Sequence, residues 1–281
     1  MPLVRSGAWG RSGAAAAAVM LAVTLGAAGT LDAKEPDGVS IKNKSVFRYA
    51  VSADSIEQQS AAQYREMTQQ ANAKHALIEP NSPQAQRIKT IAQRLLPAAV
   101  KFNERAKAWD WQVNVFDSQQ INAFCMPGGK IVVFTGILNK LQLTDDEAAM
   151  VIGHEIGHAL YEHARARAGK QFALNLGRQA AGLIFGQLGD LVGAGATSLA
   201  SLKFSRGDET QADLIGLELA ARAGYDPRAG LTLWSKMSQA AQGAPPQWLS
   251  THPSSTTRIQ TMKDHIPEVI GLYEQAKLER K

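Results

Sequence analysis

Thr144-Asp145-Asp146-Glu147-Ala148-Ala149-Met150-Val151-Ile152-Gly153-His154-Glu155-Ile156-Gly157-His158-Ala159-Leu160 decides how the rest of the chain is read. Thr144 with Glu147 three residues on forms a capping box: the Thr144 hydroxyl can accept the Glu147 amide N–H while the Glu147 carboxylate reaches back. The acidic first turn also complements the helix dipole. A well-fixed helix therefore begins here and continues through an uncharged stretch to His154. Positions four apart share a helix face, so His154 and His158 project side by side and can hold one metal ion. Glu155 lies beside them and suits a general base that deprotonates the attacking water. In an apolar helix two unpaired histidines would be costly, which favours ligation over a pair of surface histidines.

A catalytic zinc takes three protein ligands and keeps one position open. The segment Glu209-Thr210-Gln211-Ala212-Asp213 offers the third ligand, Glu209, 51 residues after His158. Asp213, one helical turn further, can accept the free ring N–H of a ligand histidine and fix its tautomer. Ala212, Leu214, Ile215 and Leu217 place these acids on a buried helix, not a solvated face. The expected cofactor is one Zn2+ per chain. His163 is read as structural, because five positions past His158 it points elsewhere on a continuous helix.

Working outward, Trp111–Phe116 alternates like a half-buried strand, and Lys130-Ile131-Val132-Val133-Phe134 is a second β-rich run. Pro127-Gly128-Gly129 between them is turn chemistry. Residues 111–134 thus predict a small antiparallel sheet, with Asn122-Ala123-Phe124 as a short middle segment and a helix over Thr135–Leu141. Upstream, Ser52–Lys74 predicts a polar-faced helix. Asn81-Ser82-Pro83 starts another, with Ile88, Ile91, Ala92, Leu95, Leu96 and Ala99 at helical spacing and Pro97 bending or ending it. Residues 171–204 are apolar and rich in Gly and Ala; they are read as a buried hairpin or helix pair, since Asp190 would be costly inside a membrane. The class is α+β, mainly helical.

The first 33 residues differ in kind. Arg5 and Arg11 lead into an apolar run from Ala14 to Ala28, followed by small residues, which predicts an export signal cleaved after Ala28 or Ala33. The run is short of the roughly 20 residues a spanning helix needs. Residues 34–281 are expected to form one domain. Cys125 is the only cysteine, so no internal disulfide is available, and no Cys ends the signal segment for lipidation. A net charge of +5 is spread over the chain with no basic block or aromatic-basic module, which excludes a nucleic-acid partner.

Asn122-Ala123-Phe124 through Pro127-Gly128-Gly129-Lys130-Ile131, Thr135-Gly136-Ile137-Leu138, the HEIGHAL segment, Ser205-Arg206 with Glu209–Asp213, and Thr251-His252-Pro253-Ser254 with Arg258-Ile259 occur in one order. Over residues 45 to 265 this set resembles the zinc endopeptidase family that contains the CAAX prenyl proteases, the heat-shock protease HtpX, the mitochondrial protease Oma and periplasmic quality-control proteases of Gram-negative bacteria. The resemblance implies a zincin (gluzincin) fold with a small antiparallel sheet beside the metal helix. It assigns the ligands to His154, His158 and Glu209 and the base to Glu155. It is nearest the periplasmic members without a helical-repeat domain. It implies cleavage of unfolded or misassembled envelope polypeptides, outer-membrane proteins among them, with peripheral association with envelope assembly machinery or the outer membrane.

The strand at Lys130, Ile131, Val132, Val133 and Phe134 is expected to offer an open edge to an extended substrate. Candidates for the oxyanion donor are His252 and Arg258, with Tyr161 and Tyr225 behind them. His252 could instead occupy the open metal position as a latch. Two other classes stay in view: a periplasmic chaperone-like protein with a structural zinc, which the intact Glu155 argues against, and a zinc amidase acting on cell wall.

Overall fold

The computed structural model describes residues 38–180, 203–242, 246–253 and 255–279. The expected export signal lies outside the described residues, as do residues 181–202 of the apolar Gly/Ala stretch. The part of that stretch that is described does not match the buried reading: Gln171–Leu176 are exposed apart from half-buried Asn175.

Helix α1 (Ala53–Ala73) is capped by Ser52 and α2 (Pro83–Leu95) by Ser82 with proline in its first turn. The Ile88, Ile91, Ala92 and Leu95 stripe is buried as its spacing predicts, and at Pro97 the chain tightens into a 3-10 turn, Leu96–Lys101. Strands β1 (Gln112–Phe116), β2 (Ala123–Met126) and β3 (Lys130–Phe134) follow, then α3 (Thr135–Lys140).

The sheet is mixed, not antiparallel, and its order is β1-β3-β2. β3 pairs in parallel with β1 and antiparallel with β2, so Lys130–Phe134 is the central strand and has no open edge. The reason is visible in β3 itself: Lys130 through Val133 are all buried, the uninterrupted pattern of a strand covered on both faces, whereas β1 carries exposed and half-buried positions. Lys130 is buried because its ammonium reaches the Asp110 carboxylate at 2.9 Å and the Asp110 carbonyl. Gly128 and Gly129 turn the β2–β3 hairpin at φ +79° and +81°, and a Cβ on Gly129 would meet the Trp111 ring at 2.7 Å. β2 is the outer strand, and it packs against α4 (Asp145–Leu160).

The capping box forms as read. Glu147 N–H donates to Thr144 Oγ1 at 3.2 Å, and Thr144 N–H donates to the Glu147 carboxylate at 2.9 Å. Every residue of α4 from Glu147 to Leu160 is buried. One side of α4 meets β2 and β3, and the other meets α6 (Arg206–Arg222). α6 crosses at very short range: a Cβ on Gly153 would lie 3.1 Å from the Gly216 Cα, and one on Gly157 3.1 Å from the Ala212 Cα. The partners run 153 to 157 against 216 to 212, so the helices are antiparallel in contact. α7 (Ala229–Ala240), α8 (Gln247–Thr251) and α9 (Thr256–Leu278) complete the described helices, α9 lying along α6. Residues Pro36–Lys281 cluster as one compact unit.

α4 ends at Leu160, and Glu162 takes φ +60° before α5 (His163–Ala180) starts. A 3-10 segment at Val46–Ala50 packs on α5.

Candidate metal centre

The short α4–α6 crossing sets the histidines of one helix against the acids of the other. His154 Nε2, His158 Nε2, a Glu209 carboxylate oxygen and His252 Nδ1 converge so that all lie within 4.8 Å of one another. His154 Nε2 is 3.1 Å from His158 Nε2 and 3.2 Å from His252 Nδ1. Glu209 Oε1 is 3.5 Å from His158 Nε2 and 3.1 Å from His252 Nδ1. All four side chains are buried.

Hydrogen bonds on the far side of each ring point the lone pairs inward. His154 Nδ1–H donates to Asp213 Oδ1 at 3.0 Å, the role foreseen for Asp213, which leaves Nε2 free to ligate. For His158 the chain of partners is longer. Gln211 Nε2 donates to the Lys42 carbonyl at 3.1 Å, which orients its Oε1 to accept His163 Nε2–H at 3.0 Å. His163 Nδ1 must then accept His158 Nδ1–H, at 2.9 Å, and His158 Nε2 faces the centre unprotonated. Burial, with His154 and His163 beside it, holds the His158 pKa well below the usual histidine range. The expectation that His163 points away is thus overturned. It assumed one unbroken helix, and the break at Glu162 swings His163 back onto His158.

Arg258 is also corrected. Its Nε and Nη2 donate to the two Asp213 oxygens at 2.7 Å each, and Nη1 donates to the Pro253 carbonyl at 2.9 Å. Turned toward these acceptors and buried, it neutralises the acids behind the centre and is not presented as an oxyanion donor. Burial opposes ionisation of Asp213, but Arg258 and the His154 bond hold its pKa below the ordinary value. Tyr225 lies past the far end of α6, about 20 Å along the helix from Glu209, where its hydroxyl accepts from Arg94 at 3.4 Å. Tyr161 caps the C-terminus of α4, under the Lys44 ammonium.

Two aromatic residues not singled out from sequence complete the walls. Trp248, four positions before His252 across α8, donates Nε1–H to Glu155 Oε1 at 2.7 Å and stacks on the His252 ring at 4.9 Å between centroids. Phe204 stacks on His158 at 3.9 Å. The Trp248–His252 spacing of four residues was the available signal. Cys125 on β2 is raised by burial, with the Glu155 charge adding to it, in keeping with a packing role.

The donor set fits a metal ion of zinc's kind: imidazole nitrogens and one carboxylate, converging from buried side chains. Glu209 Oε2 has no hydrogen-bond donor. Arg258 Nη1 lies 2.7 Å from it but off the bonding direction, so the contact is one of charge. A buried carboxylate oxygen left in that state is suited to a metal. Burial opposes protonation of His252, while Glu155 and Glu209 beside it raise its pKa above the ordinary histidine value.

Residues 82–266 match the model of Peptidase family M48. The chain belongs to peptidase family M48. Among M48 relatives, the mitochondrial metalloendopeptidase OMA1 of Arabidopsis thaliana is 43% identical over 154 residues, covering 54% of this chain and 31% of its own. The human mitochondrial metalloendopeptidase OMA1 is 36% identical over 185 residues, covering 59% of this chain and 34% of its own. The metalloprotease LoiP of Escherichia coli strain K12 is 29% identical over 204 residues, covering 70% of this chain and 77% of its own. The chain thus spans about a third of the length of these two OMA1 relatives. No described helix of this M48 member is long and apolar enough to cross a membrane.

Proposed function

We propose that the chain is a zinc-dependent endopeptidase that hydrolyses unfolded or misassembled polypeptides in the periplasm. The observation that carries the reading is Glu155, a buried carboxylate one residue from a ligand histidine and held by the Trp248 indole N–H at 2.7 Å. A metal site kept for structure alone has no use for such a base. Zinc held by His154, His158 and Glu209 would polarise the scissile carbonyl and acidify the attacking water. Glu155, held by Trp248, is the base that would take the proton and pass it to the leaving amine. The ion pair of Asp213 and Arg258 keeps His154 in the ligating tautomer throughout.

Substrate would add to β2, not to β3. Phe134 N–H donates to the Asn122 carbonyl, so Asn122, Phe124 and Met126 face β3, and the main-chain groups of Ala123 and Cys125 face outward beside α4. Pairing by backbone would give loose sequence preference. Among the described residues no strand occupies that side. The export pattern of residues 1–33 supports the periplasm, where outer-membrane precursors and assembly machinery would supply substrates and partners.

A second reading, a holding protein with a structural zinc, is favoured by the closure of the centre by four buried donors. The test is casein cleavage with zinc content measured, alongside Glu155→Gln. Zinc bound in both and cleavage lost only in the variant supports the peptidase. Zinc bound, with cleavage absent even when His252 is replaced by Ala, leaves the holding protein; absence of zinc removes both.

A further inference from the structure

Glu218 on α6 is fully buried, and its carboxylate meets two cations and a main-chain amide. Lys101 Nζ at 2.5 Å and Arg222 Nε at 2.7 Å donate to Oε1, and Val39 N–H donates to Oε2 at 2.9 Å. A carboxylate this deep is costly unless its oxygens are partnered. Gly38 lets the chain come so close: it holds φ +78°, and an added Cβ would strike both Glu218 oxygens. Past this anchor Val39 is buried and Ile41 packs on the core, so residues 38–42 lie on the molecule as a strap. The other end of the strap is at the metal centre, where the Lys42 carbonyl accepts Gln211 Nε2–H at 3.1 Å. Gln211 and Glu218 are two turns apart on one face of α6, about 10 Å along its axis. Val39 and Lys42 are separated by about the same distance of extended chain. The lengths match, so the strap runs along α6 against its direction, tied at both ends.

The tie at Lys42 sets the direction of the bonds behind His158. A carbonyl oxygen only accepts, so the Gln211 amide nitrogen must face it and the amide oxygen must face His163 Nε2, at 3.0 Å. Without that carbonyl the amide can turn over and present its N–H to His163. His163 would then carry its proton on Nδ1 and donate it to His158 Nδ1, 2.9 Å away. His158 would be left protonated on Nε2, the nitrogen that faces Glu209 and His154. Both arrangements keep every hydrogen bond from Gln211 to His158, but in the second the Gln211 oxygen would face the Lys42 oxygen. Asp208 does not replace the strap: its carboxylate is 3.9 Å from His163 Nε2, beyond hydrogen-bond reach, and is bonded to Ser205 in the cap of α6.

We propose that residues 38–42 are a working part of the metal centre, with Glu218 as a positioning residue: Glu218 fixes the strap, the Lys42 carbonyl fixes the Gln211 amide, and the amide fixes the ligating tautomer of His158. The proposal rests on the reading of His158 as a zinc ligand.

Two substitutions detach the strap without touching α6: Gly38→Val, which is strained at φ +78° and collides with Glu218, and Val39→Pro, which removes the N–H donor. Each is made in the full chain, alone and together with Gln211→Glu. A carboxylate at that position can only accept, so it holds His163 protonated on Nε2 with no help from Lys42. Zinc affinity is read by chelator competition. Expected is a loss of about tenfold in each strap variant alone, and no loss added by the strap variants once Gln211→Glu is present. Equal loss in both backgrounds would reduce the strap to a packing element, and no loss in either would disconnect it from the site; each outcome overturns the proposal. Long-range proton–nitrogen NMR spectra of the zinc-free chain read the tautomer itself. His158 should carry its proton on Nδ1, and the strap variants should add a population protonated on Nε2. A native chain with His158 protonated on Nε2 overturns the proposal even where zinc binds. A chain with the expected tautomers that binds no zinc upholds the strap's control of His158 and overturns the ligand reading instead.

Discussion

Gly153 of α4 and Gly216 of α6 touch backbone to backbone: a Cβ on Gly216 would lie 2.9 Å from the His154 amide nitrogen. This contact sets the spacing between the helix that carries His154 and His158 and the helix that carries Glu209 and Asp213. The centre therefore depends on the absence of two side chains as much as on the presence of its ligands.

Gly216→Ala should destabilise the fold by about 2 kcal/mol, since backbone and not a flexible side chain must yield, and should weaken zinc binding as the helices part. Gly207→Ala is the control, its nearest neighbour being Ser205 Oγ at 3.8 Å. It should be neutral or stabilising by up to about 1 kcal/mol. Denaturant unfolding and chelator competition read both quantities, and a Gly216→Ala protein normal in both would refute the spacing argument.

His163→Leu should lower zinc affinity about 10- to 100-fold, because the His158 Nδ1–H loses its acceptor and the ring its fixed tautomer. His163→Asn should recover part of the loss, its amide oxygen replacing the acceptor nitrogen. Equal affinity in Leu and Asn variants would reduce His163 to a packing residue.

His252→Ala tests the latch. Three ligands remain, so zinc should stay bound, and basal cleavage of casein should rise as the fourth position opens. A fall in turnover with zinc retained would instead place His252 at the oxyanion.

Acid should expose the capping box. Burial alone would raise the Glu147 pKa, but Lys236, the Thr144 amide and Thr232 hold it below the ordinary 4.5. A carboxylate depressed in the folded state contributes stability that is complete above the ordinary value and is lost as pH falls through the depressed one. The stability gap between the native chain and Glu147→Gln should therefore be flat from about pH 6 to 7 and close below about pH 4. A gap that widened in acid would contradict the sign.

What the sequence determined by itself was whatever depends on neighbours within a turn or two. The Thr144–Glu147 cap, the shared face of His154 and His158, the Ser82–Pro83 start, and Asp213 one turn beyond Glu209 all follow from helical geometry, which is local. Tertiary structure decided the rest. β3 became the central strand because, besides its hairpin partner β2, its other edge paired in parallel with β1, which no local turn dictates. His163 turned inward because the chain breaks at Glu162. Arg258 was drawn to Asp213 and Glu209 because buried acids need a counter-charge. Trp248 reached Glu155 across 93 residues of chain. Such pairings are chosen by burial and closure of the whole molecule, and no short-range pattern encodes which distant partner satisfies them.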